Sequence, residues 1–284
     1  MQHLSKILSD AAKQMVYGRP GLPTGYPELD DLLSGLKPGN LIVIAARPSM
    51  GKSALMLNIA ANVAKGKSTA VIFTLEMSSQ EVIERLIGSA SQINIPTVKR
   101  LGGKLPDPTK KKLLAAIEEL KKYDLHIEDG GCLTPSMIMM KLDDLVKEGV
   151  KPGAIFVDYL QMMGAGGGEN NRQQEIDQMC ANFKTLAKKF ACPVVLLSQL
   201  NRQVENRTNH EPQLSDLRDS GGIEQAADSV IMIYRPGYYG SRDKQDDDGE
   251  AVLLVKKNRN GPTGRVPLLW KNESATFFNL EDAE

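Results

Sequence analysis

The chain has 284 residues, enough for one large α/β domain or two small ones. Lysine plus arginine and aspartate plus glutamate are equal at 35 each, so the formal net charge is zero. That excludes binding of nucleic acid through a whole-molecule field, and any such contact has to come from a local basic surface. Hydrophobic residues at 41% and charged residues at 25% fit a soluble globule, and the apolar runs are far too short for a membrane span.

Residues 4–16 place Leu4, Ile7, Leu8, Ala11, Ala12 and Met15 at helical spacing. Gly18-Arg19-Pro20-Gly21-Leu22-Pro23 then breaks the pattern. The helix is either folded back on its own core or an arm that docks on a neighbouring subunit; the long breaker segment favours the arm. The expected organisation is therefore a docking linker over 1–17 and one α/β unit over 18–284.

Leu41-Ile42-Val43-Ile44-Ala45 is a short apolar run that reads as a buried strand, and residues 54–64 form an apolar-faced helix. Strands are expected at 69–75, 125–128, 154–157, 193–197 and 229–233. Helices are expected at 80–90, 109–122, 134–146 and 172–190, with Thr134 capping the third and Pro135 at its first position. This alternation predicts a mostly parallel, twisted sheet with helices on both faces. Residues 251–255 and 265–270 flank Asn260-Gly261-Pro262-Thr263-Gly264 and predict a C-terminal antiparallel hairpin. Three polar stretches, 164–172, 201–222 and 235–249, read as long loops. Cys132, Cys180 and Cys192 lack CxxC spacing and read as reduced thiols of a cytoplasmic protein; with three histidines, the pattern argues against a zinc site.

Between the first strand and its helix lies Ala46-Arg47-Pro48-Ser49-Met50-Gly51-Lys52-Ser53-Ala54, which fits the phosphate-loop pattern except that Ala46 replaces its first glycine. A loop that hands a strand to a helix N-terminus presents backbone N–H groups and the positive end of a helix dipole to phosphate. Gly51 lets the backbone wrap a phosphate, Lys52 reaches the β and γ positions, and the Ser53 hydroxyl is suited to Mg²⁺. Arg47, Pro48, Ser49, Met50 and Ala54 complete the loop.

Phosphoryl transfer also needs a metal carboxylate, a group to orient water, and positive charge at the γ-phosphate. Asp158 ends the strand at 154–157 and suits the metal. Glu76 ends the strand at 69–75, next in sequence after the phosphate-loop strand, so its end is expected to point into the same crevice, and it is either the base or a helix cap. Gln199, just beyond 193–197, is either a γ-phosphate sensor or a solvent-facing amide. Lys256-Lys257-Asn258-Arg259 is either a finger reaching a neighbouring subunit's phosphate or a solvated basic turn. In the 201–222 stretch Arg202, Arg207 and Arg218 alternate with acids and no aromatic appears, which points to a few backbone contacts per subunit and no base stacking. Residues 164–172 read equally as a second pore loop or a surface turn.

ARPSMGKS at 46–53, TLEMS at 74–78, IFVDYLQ at 155–161, LSQLNR at 197–202, SDLRDSGGIEQAAD at 215–228 and KNRNGPTG at 257–264 occur in order. Together they closely resemble the C-terminal motor domain of bacterial replicative DNA helicases of the DnaB type, over about residues 20–280. In that family alanine is usual at the position of Ala46. The resemblance implies a RecA-like P-loop NTPase fold and a homo-hexameric ring. It also implies ATP hydrolysis with Mg²⁺ between subunits, and 5′-to-3′ movement on single-stranded DNA at the replication fork, with a primase and a helicase loader as partners. Carried over by motif, Lys52 and Ser53 hold phosphate and Mg²⁺, Asp158 the metal, Glu76 the catalytic water, Gln199 the sensor role, and Lys257 with Arg259 the pair donated in trans. Arg85 resembles an arginine that packs near the nucleotide base. Arg218, Asp219 and Gly221 match a DNA-backbone loop, where the family often has glutamate in place of Asp219. Full-length relatives carry an N-terminal collar domain to which nothing here corresponds, so the expectation is a truncated chain or a collar-less variant. Two other classes compete: a RecA-like strand-exchange or clock-type ATPase, which shares the fold and phosphate loop but against which the pairing of SDLRDSGGIEQ with KNRNGPTG argues, and a nucleotide-gated assembly factor, against which Glu76 and Gln199 speak.

Overall fold

The computed structural model describes Leu8 and residues 21–102, 104–131, 133–158, 169–240 and 249–283, with backbone alone at 169–173, 218–221, 240 and 283. The expected docking helix at 4–16 and most of the 164–172 loop lie outside these residues.

Strand β1 (Leu41–Ala46) is buried at every position, as a strand covered on both faces must be. Its alternation sorts the core: Ile42, Ile44 and Ala46 join one apolar cluster, and Leu41, Val43 and Ala45 join the other. Helix α1 (Pro27–Leu33) precedes β1, and α2 (Lys52–Lys65) follows it. Then come β2 (Ala70–Thr74), α3 (Ser79–Ser91), α4 (Ile95–Leu101), α5 (Asp107–Leu120), β3 (Leu125–Asp129) and α6 (Pro135–Lys147). Helix α3 starts in a capping box, with Ser78 accepting from the Glu81 N–H and Glu81 accepting from the Ser78 N–H. Thr134 caps α6 on the Met137 N–H, with Pro135 in its first turn, as expected.

The second half runs β4 (Ala154–Asp158), α7 (Glu169–Phe190), β5 (Val194–Gln199), 3-10 turns at Arg202–Asn206 and Leu214–Ser220, α8 (Gly221–Ala226), β6 (Ser229–Tyr234), α9 (Pro236–Gly240), β7 (Gly249–Asn258), β8 (Gly264–Lys271) and β9 (Thr276–Asn279). Among the described residues the strands form one nine-stranded sheet in the order β3-β2-β4-β5-β1-β6-β7-β8-β9. It is parallel from β3 through β6 and antiparallel from β7 onward. The expected α/β class, parallel sheet and closing hairpin are all present. Helices α2 and α3 pack on one face, and α6, α7 and α8 on the other.

Three features differ from the sequence reading. Helix α7 begins at Glu169, before the expected Arg172. The short elements α1, α4, α8, α9 and β9 are absent from the expected pattern, α9 lying within the 235–249 stretch expected as a loop. The 201–222 stretch is also not structureless. The Arg207 guanidinium donates to both carboxylate oxygens of Asp216, at 2.6 and 2.5 Å, and to the Glu211 carbonyl. Asp216 is fully buried there, and its own carbonyl accepts the Asn201 N–H.

Removing one partner of a buried pair strands the other charge. Arg207→Ala is therefore expected to destabilise the fold by about 3 kcal/mol in urea unfolding. An unchanged midpoint would mean that the pair does not hold the 201–222 segment.

Candidate nucleotide site

Parallel pairing brings the ends of β2, β4, β5, β1 and β6 to one edge of the sheet, where ligands of open α/β folds bind. Ala46 pairs in register with Gln199, so Gln199 sits exposed beside the start of the phosphate loop. Thr74 pairs with Asp158, which puts Glu76 two residues past the level of that carboxylate. Glu76 was expected near the loop because β2 follows β1 in sequence. In the sheet, β4 and β5 separate the two strands. The negative charge of Glu76 is nevertheless felt at Lys52.

The loop itself is wound tightly. Ser49 has φ 67° and Gly51 φ 94°, both left-handed. Gly51 is the N-cap of α2; no side chain caps that terminus, and its first turn carries no acid. Its N–H groups and dipole are thus presented to an anion. A Cβ on Gly51 would stand 2.9 Å from Phe277 Cζ and 3.0 Å from Trp270 Cζ3. Met50 and Ala54 are buried and turn into the core, while Pro48 and Ser49 are exposed.

Lys52 and Ser53 meet Asp158. The Ser53 hydroxyl donates to Asp158 Oδ2 at 2.7 Å, and Lys52 Nζ lies 3.9 Å from Oδ1. Asp158 is fully buried, yet its Oδ1 accepts no hydrogen bond. A buried carboxylate oxygen in that condition, beside a hydroxyl, fits a hard divalent cation such as Mg²⁺, which takes few protein oxygens and completes its shell with water and phosphate. Burial lowers the proton affinity of Lys52 below the usual lysine range, and the charges of Asp158 and Glu76 partly offset this.

Arg47 does not face the phosphate position. Its guanidinium donates to Glu205 Oε1 at 3.0 and 2.8 Å and to the Leu200 carbonyl at 2.7 Å, tying the loop to the segment after β5. Arg85 is exposed on α3, where it lines a cavity of about 220 Å³ with Ile93, Ile95, Pro96 and Ala275. Three residues that the sequence reading passed over brace the loop. Arg235 donates to the Ser49 carbonyl at 3.2 Å and lies 4.5 Å from the centre of the Trp270 ring. Trp270 in turn packs on Phe277, with ring centres 4.6 Å apart. Arg235 stands just past β6, the strand paired with β1, so the strand-end rule that picked out Glu76 and Asp158 applies to it as well.

Lys257 and Arg259 lie at the other edge. Val43 pairs with Val230 and Val230 with Lys257. The Arg259 N–H donates to the Asp228 carbonyl, level with Leu41 at the start of β1. The five residues of β1 from that level to Ala46 span about 17 Å. In this chain the pair sits on the C-terminal end of α8: Lys257 donates to the carbonyls of Glu224 and Ala227, and Arg259 to that of Gln225. Among the DNA-loop candidates, Arg202 is exposed and Arg207 is held by Asp216. Arg218 and Asp219 fall in the second 3-10 turn, and Gly221 opens α8.

A family model described as the DnaB-like helicase C terminal domain matches residues 21–279. The chain belongs to that family. It is 41% identical over 265 residues to the replicative DNA helicase DnaB of Geobacillus stearothermophilus, covering 92% of this chain and 57% of the relative. It is 39% identical over 264 residues to the replicative DNA helicase DnaC of Bacillus subtilis (strain 168), with the same two shares. The chain thus spans little more than half the length of these relatives. Among solved structures, one described as an ATPase domain superposes with a TM-score of 0.91 at 32% identity, covering 99% of both chains. A DnaB-like replicative helicase, solved to show its interactions with primase, superposes with a TM-score of 0.86 at 33% identity, covering 99% of this chain and 67% of that one. The chain shares the RecA-like fold of these ATPase-domain structures. No described helix is long and apolar enough to cross a membrane.

Gly51→Ala forces a side chain into the left-handed region against two packed rings. It is expected to cost about 1–3 kcal/mol of stability. A denaturant midpoint equal to that of the unsubstituted chain would show that the loop relaxes at no cost.

Proposed function

We propose that this chain is the ATP-hydrolysing motor of a replicative DNA helicase, acting on single-stranded DNA as a homo-hexameric ring. The observation that carries this reading is the split of the charged groups between opposite edges of one sheet. Lys52, Ser53 and Asp158 converge at one edge, and Lys257 with Arg259 at the other, so the second pair reaches a bound triphosphate only in another copy.

In this mechanism the N–H groups at the start of α2 and the Lys52 ammonium hold the β- and γ-phosphates. Ser53 and Asp158 hold Mg²⁺, which when bound neutralises charge on the phosphate oxygens. Glu76 orients a water and accepts its proton as the water oxygen bonds to the γ-phosphorus and the bond to the ADP oxygen breaks. Gln199, beside the loop, senses whether the γ-phosphate is present and is linked through the adjoining 201–222 segment to the DNA side. Lys257 and Arg259 of a neighbouring copy meet the charge that spreads over the γ-phosphoryl oxygens. Arg85 and the apolar wall of its cavity support the base, while Arg47 serves the site indirectly through Glu205 and Leu200.

Arg218, Asp219 and Gly221, with Arg202 and Arg207, are the proposed DNA-backbone contacts. A primase is proposed as a partner on the strength of the solved relative, and a loader on the family resemblance. Residues 1–17 are proposed as a docking linker and 18–284 as the motor unit.

ATP turnover per chain should rise with both chain concentration and added single-stranded DNA. Glu76→Gln and Arg259→Ala should each lower kcat by roughly 10³-fold while nucleotide binding persists. Full activity of Arg259→Ala, at concentrations where copies associate, would remove the trans contribution from the mechanism.

The lowered proton affinity of Lys52 sets a pH dependence. Phosphate binds the charged lysine, so nucleotide affinity should weaken as pH rises, before an exposed lysine titrates. Stability moves in the opposite direction: the folded chain binds fewer protons at Lys52 than the unfolded chain, so this group's contribution to stability grows as pH rises through that window. Nucleotide titrations between about pH 7 and 10 measure the first effect. A profile that is flat, or unchanged in Lys52→Met, would contradict it.

A further inference from the structure

Asp228 stands where α8 hands over to β6 and is 5% exposed. Its two carboxylate oxygens face different partners. Oδ2 accepts the Leu41 N–H at 2.7 Å and the Lys184 ammonium at 2.5 Å; Lys184 also donates to the Gly39 carbonyl at 2.7 Å. Oδ1 lies 3.7 Å from Arg259 Nη1. The Asp228 main-chain carbonyl accepts the Arg259 N–H at 2.8 Å. Arg259 is therefore tied to Asp228 at both its backbone and its guanidinium, while Asp228 is tied to the start of β1 and to α7.

The remaining partners of the cationic pair are neutral. Lys257 donates to the Glu224 and Ala227 carbonyls, and Arg259 Nη2 to the Gln225 carbonyl. Neutral carbonyls exchange for a phosphate oxygen with a gain in charge-assisted hydrogen bonding. The Asp228 carboxylate is the negative charge that the geometry sets beside Arg259, and at 3.7 Å it orients the guanidinium without the two parallel bonds of a fork-to-fork pair.

We propose that Asp228, braced by Lys184, is the positioning residue for Arg259, holding the guanidinium where a triphosphate on a neighbouring copy meets it. This rests on the trans-acting reading of Lys257 and Arg259. A purely structural Asp228 would need only the Oδ2 contacts that join β1 to α7; the Oδ1 side and the shared carbonyl give it the second role.

The test is a double-mutant comparison on the full chain, with ATP turnover measured at concentrations where copies associate. Asp228→Asn keeps the shape and an acceptor for the Leu41 N–H. It should lower kcat roughly tenfold and leave KM and nucleotide affinity unchanged. Added to Arg259→Ala, it should cause no further loss in the residual rate, because the group it positions is gone. Lys184→Gln keeps the carboxylate and loosens its brace. It should show a smaller loss that also vanishes in the Arg259→Ala background, and it carries the test if Asp228→Asn does not fold. Equal losses in both backgrounds, tracking a fall in Tm, would overturn the proposal in favour of a structural residue. Full activity of Asp228→Asn beside a crippled Arg259→Ala would overturn the positioning role alone. Full activity of Arg259→Ala would overturn the trans reading and this proposal with it.

Discussion

Parallel pairing of β1 with β5 on one side and β6 on the other is the constraint on which the rest of the molecule depends. Parallel strands release their C-terminal ends at one edge, and each must be followed by a helix or loop that returns along a face. The phosphate loop after β1, Gln199 at the end of β5 and Arg235 after β6 are neighbours for that reason alone. The same rule brings Asp158 from β4 to Lys52 and Ser53, although more than a hundred residues separate them in the chain. Burial of these strands on both faces keeps the edge rigid. A carboxylate that is fully buried and only half satisfied, as Asp158 is, persists where the surrounding fold over-determines its position.

The reversal at β7 has the opposite consequence. An antiparallel strand beside β6 runs its C-terminal end to the lower edge, so Lys257 and Arg259 emerge near the start of β1. Under the proposed trans mechanism, two surfaces that meet but stand on opposite edges of one subunit form a heterologous interface. Such an interface repeats head to tail into a ring when the rotation closes, and into a filament when it does not. On the proposed trans mechanism, assembly follows from the sheet topology, independent of how strongly the copies adhere. Helix α8 lies at the junction: its C-terminal carbonyls receive the basic pair, and its first residue closes the segment that carries Arg218 and Asp219.

Much of this was legible in the sequence, for physical reasons that also mark where legibility ends. A strand such as Leu41–Ala46, apolar throughout because both faces are covered, declares itself. Thr134-Pro135 announces a helix start, and the Gly51-Lys52-Ser53 turn a phosphate cradle. Strand order is carried by no local pattern. Glu76 was assigned to the crevice because its strand follows β1, whereas β4 and β5 stand between. Side-chain partners are non-local too. Arg47 reads as a phosphate ligand until Glu205, far along the chain, is found to hold it. Helices of seven residues, such as α1 and α4, and a four-residue strand such as β9 are too short to show a period.

The balance of charge bears on how a chain with no net charge would hold the proposed single-stranded DNA. Most of the basic side chains around the 201–222 segment already have acidic partners: Arg47 with Glu205, Arg207 with Asp216, and Lys256 and Arg265 both with Glu211. These four cations share three carboxylates, so the pairs shape the segment and leave only one net positive charge to act beyond it. The phosphate contacts left to one copy are then few, and the salt dependence contributed by each copy is correspondingly shallow. In the proposed ring, grip on a single strand would be summed over the copies arranged around it, while any one copy would let go easily. Weak contacts per subunit and strong contacts per assembly are what repeated stepping along a backbone requires. On this reading, the pairing of arginines with acids inside the loop complements the proposed division of the nucleotide site between copies.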